Sequence, residues 1–455
     1  MQHKVKIFPE ILDVNVEELE SDILNRRSIV GVIGLGYVGL PMARALNKQG
    51  YQVIGFDTDI RKIETLKKSN SYIKTLSNQN VQELNESGRF KPTNSITDIA
   101  QMDVILICVP TPLTKNREPD MRYVTSAADV ISTQLRKGQV IILESTTYPG
   151  TTRDLLKPIF EKTNLIAGED FFLAYSPERE DPGNCVYETS SIPKVVGADD
   201  ESSRRLAVAL YTQIVPKVAE VSCSATAEAV KLTENIFRFV NIGLVNELKT
   251  IYDRMGINIW EVIEAAKTKP FGYMPFYPGP GLGGHCIPID PFYLTWKARE
   301  YGMTTQYIEL SGQINGSMPS YVIERLREEL DKRFTKGLRN THILIVGISY
   351  KKNIEDIRES PSLVIFELLE NCKAIVDYYD SHVLEIPDTA EHKSLSGLKS
   401  VPFTKEQLNK YDAVIICTDH DYINYNFIVE NSKLIIDTRN AIKHCPAGKD
   451  HVVKA

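Results

Sequence analysis

The sequence lacks the features of a membrane-spanning, secreted or nucleic-acid-binding protein. No apolar run approaches the roughly 18 residues of a membrane span, and the polar, charged N-terminus has no signal-peptide h-region. The formal net charge is −6, whereas nucleic acid and anionic membrane surfaces would require a basic face. We therefore expect a cytoplasmic protein that is not integral to a membrane and binds no nucleic acid.

The cysteines do not form a disulfide or metal framework. The seven cysteines include no CxxC pair and no cluster with histidine at zinc-ligand spacing. We therefore expect reduced thiols and no bound metal. The composition is otherwise that of an ordinary globular protein, with 42% apolar and 25% charged residues. A length of 455 residues is too great for one typical core, so two or three domains are expected.

A strand, a glycine turn and a helix follow one another after an N-terminal extension, residues 1–27, that contains a short amphipathic helical pattern at 14–24. The apolar run 28–34 predicts a buried strand, which leads into GLGYVG at residues 34–39 and a helical pattern to residue 49. Glycines in such a turn permit close approach of a pyrophosphate, and the helix N-terminus supplies amides and a positive dipole end. This arrangement predicts a dinucleotide site.

A second predicted strand, residues 52–56, ends at Asp57. This acid lies 18 residues beyond Gly39, near the spacing at which a carboxylate meets a ribose 2′-hydroxyl. A carboxylate would repel a 2′-phosphate, so Asp57 favours NAD over NADP, although Arg61 lies close by. Further cofactor contacts are expected at the ends of the apolar runs 104–109 and 140–143, where a plain loop would explain the prolines equally well. The expected cofactor residues are Gly34, Gly36, Tyr37, Val38, Gly39, Asp57, Arg61, Pro110, Thr111, Ser145 and Thr146.

Three later stretches carry polar residues in unusual settings. The apolar run 171–175 precedes a charged turn with Glu178 and Arg179, which could equally be a solvated surface turn. A helical pattern over 226–255 places Lys231 and Asn235 four residues apart on one face, although charges on helices are usually only solvated. The stretch 276–296 is rich in Gly and Pro around Cys286. A purely structural interpretation of Cys286 is that it is a small buried residue.

A second series of strands and helices begins after residue 332. Apolar runs at 342–347, 374–379, 413–418 and 434–437 predict a second parallel sheet. It has no second GxGxxG, so we expect it to bind a different ligand. The fold class is therefore α/β, with two Rossmann-like doubly wound domains joined by a central helical segment. We divide the chain into an extension, 1–27, a NAD-binding domain, 28–215, a central helical domain, 216–332, and a second Rossmann-like domain, 333–455.

Beyond residue 27 the chain resembles the UDP-glucose/UDP-N-acetylhexosamine 6-dehydrogenase family. The matching motifs occur in family order and are GVIGLGYVGLP, CVPTP, ESTTYPGTT, the SPE turn, AEAVKLTEN, GPGLGGHCIPID, SYKKNIEDIRESP and IIDTRN. The SPER turn and the run GGHCIPIDPFYLTWKA look more like the branch that oxidises UDP-N-acetylglucosamine than like the UDP-glucose branch, in which the turn after Pro-Glu is hydrophobic. The resemblance implies NAD-dependent oxidation of a C6 alcohol to a carboxylate in two hydride transfers.

The resemblance assigns roles by matching position. Cys286 would form a thiohemiacetal with the aldehyde and then a thioester. Lys231 and Asn235 would stabilise the oxyanion and orient a water or the substrate oxygen. Asp290, with Thr146, would orient the catalytic water or accept a proton, and Glu178 would be the general base for thioester hydrolysis. No metal is required by this chemistry.

The substrate would be a UDP-sugar, and its uridine diphosphate would be bound by Lys351 and Arg439. The substrate contacts implied by the family motifs are Glu178, Arg179, Lys231, Asn235, Tyr277, Gly279, Gly281, Gly283, Lys351 and Arg439. Arg179 stands where UDP-glucose enzymes have an aromatic residue, and we expect it to help admit a C2 acetamido group. The resemblance also implies a homodimer or higher homo-oligomer formed through the helical segment.

The residues leave several alternatives open. UDP-N-acetylglucosamine is the favoured substrate, and UDP-N-acetylmannosamine, UDP-N-acetylgalactosamine and UDP-glucose would undergo the same chemistry. A single-step hydroxyacid or phosphogluconate-type dehydrogenase shares the Rossmann start and helical middle but has no need of Cys286. A non-catalytic nucleotide-sugar sensor would retain the fold without turnover.

Overall fold

The computed structural model of the protein describes residues 14–73, 76–114, 116–179, 191–284, 287–389, 391–445 and 450–455. The chain divides into two compact units, Met1–Thr233 and Glu234–Ala455. The boundary between them falls within one long helix. Each unit contains one sheet, as the two predicted strand series require. The four-segment division drawn from the sequence stays a prediction.

The first unit is built on an eight-stranded sheet in the order β3-β2-β1-β4-β5-β6-β7-β8. Neighbouring strands are parallel except β6 and β7, which pair antiparallel. The order of the first six strands is that of a doubly wound dinucleotide-binding sheet. The strands are β1 Ile29–Ile33, β2 Gln52–Phe56, β3 Phe90–Thr93, β4 Val104–Ile107, β5 Val140–Leu143, β6 Phe172–Tyr175, β7 Lys194–Ala198 and β8 Val218–Val221.

Both faces of this sheet are covered, which explains why its central strands are continuously apolar. Along β4, Val104 and Leu106 pack in the core on one face, while Ile105 and Ile107 pack in the core on the other. The covering helices are α1 Val16–Leu24, α2 Gly39–Lys48, α3 Ile60–Lys67, α4 Asn78–Glu86, α5 Arg122–Ser132, α6 Lys157–Glu161 and α7 Glu201–Tyr211, with a 3₁₀ turn Ile96–Gln101 and a π-helical turn Thr151–Leu156.

The short helix expected in the N-terminal extension is confirmed as α1. Asn15 caps it by accepting hydrogen bonds from the N–H groups of Glu17 and Glu18. The helix packs against α7, and the hydroxyl of Tyr51 donates to the carbonyl of Ile23 at 2.8 Å. The described part of the extension therefore belongs to the first unit.

The second unit combines long helices with a five-stranded, all-parallel sheet in the order β10-β9-β11-β12-β13. This is the other common doubly wound order, so the predicted fold class is confirmed. Its strands are β9 His342–Val346, β10 Ile375–Tyr379, β11 Ala413–Ile416, β12 Ile435–Asp437 and β13 Val452–Lys454. The strand β13 was not predicted, because it is only three residues long and two of these, Val452 and Val453, are apolar.

Seven further helices follow α7 in the part of the chain that the structure describes. They are α8 Ser224–Arg254, which crosses the boundary between the units, α9 Ile259–Ala266, α10 Asp290–Glu300, α11 Gln306–Phe334, α12 Pro361–Asn371, α13 Lys405–Leu408 and α14 Tyr425–Asn431, with a 3₁₀ turn Lys393–Leu395. Within the described ranges, no helix combines the length and the hydropathy needed to cross a membrane.

Close packing between β1 and α2 leaves no room for a side chain at one glycine of the turn, whereas another glycine of the turn has open space beside it. A Cβ on Gly39 would lie 1.9 Å from the carbonyl oxygen of Gly34, whereas a Cβ on Gly36 would meet no atom within 4 Å. We predict that Gly39→Ala lowers the unfolding temperature by about 5–10 °C, because overpacking of this kind costs about 2–3 kcal/mol. Gly36→Ala is the matched control and should leave it unchanged. Equal shifts in calorimetry would contradict the prediction.

Candidate active site

The glycine turn after β1 is tightly constrained at its start and open at its centre. Gly34 has φ +94°, and its N–H donates to the carbonyl of Phe56 at 2.8 Å. A Cβ there would lie 2.6 Å from the carbonyl oxygen of Cys108. The open space beside Gly36 leaves room for a diphosphate to approach the backbone. Tyr37, which is exposed, and Val38 immediately precede α2.

Asp57 is bound to this turn. Its carboxylate is 7% exposed and accepts the Leu35 N–H at 2.9 Å, the Asp59 N–H at 2.9 Å and the Lys62 ammonium at 2.8 Å. Arg61 lies in the solvent and pairs with Asp59 at 2.9 Å. The acid therefore stands beside the glycine turn, in a position that fits recognition of a ribose hydroxyl. These residues fit a dinucleotide, and the arginine that left the choice between NAD and NADP open pairs with a different carboxylate.

The loops after β4 and β5 lie at the same edge of the sheet as the glycine turn, because all three follow parallel strands. The hydroxyl of Ser145 donates to the carbonyl of Val109 at 2.7 Å and so joins the two loops. Pro110 is exposed, while Thr111 and Thr146 are half-buried. The structure thus brings all the expected cofactor residues to one edge of the first sheet.

The turn after β6 brings Glu178 to a lysine from α8. The ammonium of Lys231, which is 4% exposed, donates to the carbonyl of Glu178 at 2.5 Å and lies 3.5 Å from its carboxylate. Burial raises the pKa of Glu178, while the charges of Lys231 and Lys194 oppose that rise. A base with a raised pKa accepts a proton readily but loses its basic form as the pH falls, sooner than an exposed glutamate would.

Three residues that the sequence did not identify support this turn. Glu144, Lys194 and Tyr211 are all buried, and both the Lys194 ammonium and the Tyr211 hydroxyl donate to the Glu144 carboxylate. Lys194 also donates to the carbonyl of Pro177 at 3.0 Å, directly before Glu178. Burial, together with the Glu144 charge, holds the pKa of Tyr211 well above its usual value. The sequence held two signals that could have identified two of them. Lys194 is a charged residue at the start of an apolar strand, and Glu144 directly follows another apolar strand.

Arg179 is turned to the protein backbone. Its guanidinium donates to the carbonyl of Pro193 at 2.7 Å. It lines a small cavity of about 20 Å³ together with Val38 and Glu178, which is enough room for about one water molecule. A predicted cofactor residue and two predicted substrate residues therefore share one cavity within the first unit.

In the second unit, α8 and α10 bring Asn235 and Asp290 together. The Asn235 amide donates to the Asp290 carboxylate and accepts from Arg238, and both Asn235 and Asp290 are buried. Asp290 is the first residue of α10, where the positive end of the helix dipole stabilises a carboxylate. Cys286, four residues earlier in the chain, lies outside the described residues.

The glycines of the loop that leads to Cys286 pack against the second sheet's loops. A Cβ on Gly279 would lie 2.4 Å from Nη1 of Arg439, and one on Gly283 would lie 2.5 Å from the Cβ of Tyr350. Gly281 has φ +138°. The loop therefore runs too close to its neighbours for larger residues at these positions.

Further contacts hold the start of this loop. Tyr277 stacks on Trp260 with ring centroids 6.0 Å apart and donates from its hydroxyl to Glu264 at 2.9 Å. The N–H of Gly279 donates to the side chain of Asn246 at 3.0 Å, a buried residue of α8 that the sequence did not identify.

Lys351 is half-buried in the loop after β9. Among the residues that the structure describes, no group of three His, Cys, Asp or Glu side chains is placed to hold a metal.

The Asp57 contacts generate a test of the cofactor site. We predict that Asp57→Ala weakens NAD binding about tenfold or more, because it removes both the expected ribose acceptor and the anchor of the Leu35 N–H. Asp59→Asn is the control, since Asn still caps α3 and its partner Arg61 is in solvent; NAD binding should hold. Titration calorimetry measures both, and equal losses would refute this role for Asp57.

Three family models match the chain in succession. They are described as the UDP-glucose/GDP-mannose dehydrogenase family's NAD binding domain, central domain and UDP binding domain, and they match residues 28–215, 225–317 and 344–444. The expected cofactor, NAD, is thereby confirmed, and a UDP-binding domain is present.

Individual relatives cover nearly the whole chain. A UDP-N-acetyl-D-mannosamine dehydrogenase of Pyrococcus horikoshii is 35% identical over 92% of this chain and 97% of its own length. The solved structure of the enzyme so named from that organism superposes with a TM-score of 0.84 at 32% identity, covering 94% of this chain and 98% of that one. A UDP-N-acetyl-D-glucosamine 6-dehydrogenase of Pseudomonas aeruginosa is also 35% identical, over 86% of this chain and 90% of its own. The chain therefore belongs to the UDP-glucose/GDP-mannose dehydrogenase family and is an NAD-dependent nucleotide-sugar dehydrogenase.

Proposed function

We propose that the protein oxidises the C6 alcohol of a UDP-N-acetylhexosamine to the uronic acid in two NAD-dependent steps, through a thiohemiacetal and a thioester on Cys286. The observation that carries this proposal is that two polar residues of α8 each contact an acid. Lys231 contacts Glu178, and Asn235 contacts Asp290. Both pairs consist of residues to which the family motifs assign catalysis.

In the first oxidation the alcohol loses its hydroxyl proton and a C6 hydride. NAD, held at the carboxyl edge of the first sheet, would supply the hydride acceptor. Lys231 stabilises the negative charge that develops on the substrate oxygen. Asp290, held by Asn235, orients the water that takes up the proton, with Thr146 as a second contact. The product of this step is an aldehyde.

The thiol makes the second oxidation possible. An aldehyde cannot give up a hydride usefully until a nucleophile makes its carbon tetrahedral. The sulfur of Cys286 bonds to that carbon while the thiol proton passes to the aldehyde oxygen, which gives a thiohemiacetal. Loss of that hydroxyl proton to water and of a second hydride, for which a second NAD would be the acceptor, leaves a thioester.

Hydrolysis releases the acid. Glu178 removes a proton from the attacking water, the C–S bond breaks, and the thiol of Cys286 is restored. The raised pKa of Glu178 suits this role. The hydrogen bonds of Lys231 to the Glu178 carbonyl and of Lys194 to the Pro177 carbonyl fix the backbone of this turn. The Lys231 ammonium, 3.5 Å from the Glu178 carboxylate, helps to keep that carboxylate out of solvent, where its pKa would fall to the ordinary value.

The UDP portion is bound by charged residues of the second unit. Lys351 and Arg439 supply charge-assisted hydrogen bonds to phosphate or uracil. The contact of Arg439 with Gly279 supports this assignment, because the same loop continues to Cys286. Tyr277, Gly281 and Gly283 shape the remainder of the loop around the sugar nucleotide.

UDP-N-acetylglucosamine is the substrate that we favour, on the basis of the SPER turn. Relatives named for the glucosamine and mannosamine epimers are equally identical to the chain, so identity favours neither. Arg179, already fixed to the Pro193 carbonyl, places a polar group beside Glu178 where an acetamido group could be accepted. We also propose a cytoplasmic enzyme that works as a homodimer or higher homo-oligomer and supplies acidic sugars for a surface polysaccharide.

Counting NADH separates this mechanism from a single-step dehydrogenase. With limiting UDP-sugar we expect two NADH per substrate by absorbance, whereas one would reject the thioester mechanism. Cys286→Ala should bind UDP-sugar but form no acid. Cys223→Ala, which removes a half-buried thiol beside the start of α8, should retain activity. A nucleotide-sugar sensor would show no turnover even when unaltered.

A substrate panel tests the sugar assignment. We expect kcat/KM to be highest for UDP-N-acetylglucosamine, then lower for its mannosamine and galactosamine epimers, and at least about tenfold lower for UDP-glucose, because unpaired polar groups in a pocket penalise the wrong substrate. Arg179→Phe should reduce the margin over UDP-glucose. A strong preference of the unaltered enzyme for UDP-glucose would reject the role of Arg179.

A further inference from the structure

A buried cluster at the carboxyl edge of the second sheet surrounds the loop that carries Lys351. Asp380 follows β10, Thr418 and His420 follow β11, and Ser349 belongs to the loop itself; each of these four residues is at most 2% exposed. His420 lies 3.1 Å from the Asp380 carboxylate and 3.2 Å from the Ser349 hydroxyl, both through Nε2. No step of the proposed reaction uses this cluster.

Two hydrogen bonds made by neighbours of His420 determine its tautomer. The backbone N–H of Asn353 donates to Nδ1 at 2.9 Å, so Nδ1 carries no proton. The Ser349 hydroxyl donates its one proton to the carbonyl of Lys351 at 3.0 Å, so it must accept from the ring. Nε2–H is therefore the donor to Ser349 and Asp380.

The loop is held at both ends as a result. At its start, the N–H groups of Ile348 and Ser349 donate to Asp380 at 2.7 and 3.3 Å, and the Thr418 hydroxyl donates to the carbonyl of Ser349 at 2.5 Å. At its end, Asn353 donates to His420 and adopts φ +62°. Lys351 lies between these two anchors.

A second layer, exposed to solvent, closes the same loop. Asp421, the residue after His420, pairs with Lys352 at 2.8 Å and accepts from the Asn353 side chain at 2.6 Å. The Asn353 side chain in turn accepts the Asp421 N–H at 3.0 Å. The ring of His420 is thus the only buried group of this cluster that contacts both the start and the end of the loop.

We propose that His420, oriented by Asp380, is a positioning residue for nucleotide binding. It holds the loop 348–353 in the conformation that presents Lys351 to the UDP phosphates, and it touches no substrate itself. This inference rests on the proposed role of Lys351. Loosening the loop lowers the fraction of protein in the binding-competent conformation and weakens UDP affinity by that fraction, while the chemistry on bound substrate is unchanged.

Two isosteres of His420 separate its two hydrogen-bonding roles. His420→Asn keeps an acceptor near the position of Nδ1, and His420→Gln keeps a donor near that of Nε2. Asp380 retains its N–H donors in either variant, but Asn353 loses its acceptor in His420→Gln. We therefore expect UDP to bind about tenfold more weakly to His420→Gln and only about threefold more weakly to His420→Asn, measured by calorimetry with UDP itself.

Activity and controls distinguish positioning from general damage. KM for the UDP-sugar should rise in parallel with the UDP dissociation constant, while kcat changes less than about twofold and NAD affinity holds. His342→Asn, an exposed histidine at the opposite end of β9, should behave as the unaltered protein. If His420→Gln does not fold, Ser349→Ala, which removes the hydroxyl contacts to the Lys351 carbonyl and to the His420 ring, should still weaken UDP binding about threefold.

A double-mutant cycle completes the test. In a Lys351→Ala background, His420→Gln should change UDP affinity less than about twofold, because the residue through which it acts is gone. A full tenfold effect there would overturn the inference, as would equal UDP affinity of His420→Gln and the unaltered protein. Failure of the unaltered protein to bind UDP would instead overturn the proposed function, and this inference with it.

Discussion

The buried ion pair between Lys194 and Glu144 is the interaction on which the first unit's site depends. Lys194 opens β7 and Glu144 follows β5, while the Pro177 carbonyl that Lys194 also binds follows β6. One ammonium thus connects three chain segments at one edge of the sheet. Removing either charge would leave the other buried without its opposite charge, at a cost of about 3–5 kcal/mol. The Lys194–Glu144 pair therefore fixes the position of Glu178 without taking part in the proposed reaction.

The two sheets use the same backbone device at their carboxyl edges. Gly34 and Gly347 both have positive φ, and each donates its N–H to the last residue of the neighbouring strand, Phe56 or Tyr379. In each case the acid that follows that neighbouring strand, Asp57 or Asp380, accepts an N–H of the loop after the glycine. His420 covers Asp380, which is fully buried, whereas Asp57 keeps some exposure. The same geometry therefore fits the ligand contact that we propose for Asp57 in one unit and the loop support that we propose for Asp380 and His420 in the other.

Much of the fold was predictable because its signals are local. Continuous apolar runs predicted nearly every central strand, since strands covered on both faces must be apolar throughout. The strands β3, β7, β8 and β13 were not predicted, and neither was the antiparallel pairing of β6 with β7. At the site, motifs named Lys231, Asn235, Glu178 and Asp290, but Lys194, Tyr211 and Asn246 stand in unremarkable sequence. Their importance comes from partners that are between 33 and 67 positions away along the chain.

The sequence by itself determined the strand and helix pattern, the glycine turn, the acid after β2 and the family to which the chain belongs, because each depends on residue types at short fixed spacings. Only the tertiary structure decided which charges meet. Asp57 binds Lys62 while Arg61 turns to Asp59, and His420 reaches a loop 67 residues earlier in the chain. Burial decided the rest, since the pKa of the Glu178 carboxylate is raised chiefly because packing removes it from water.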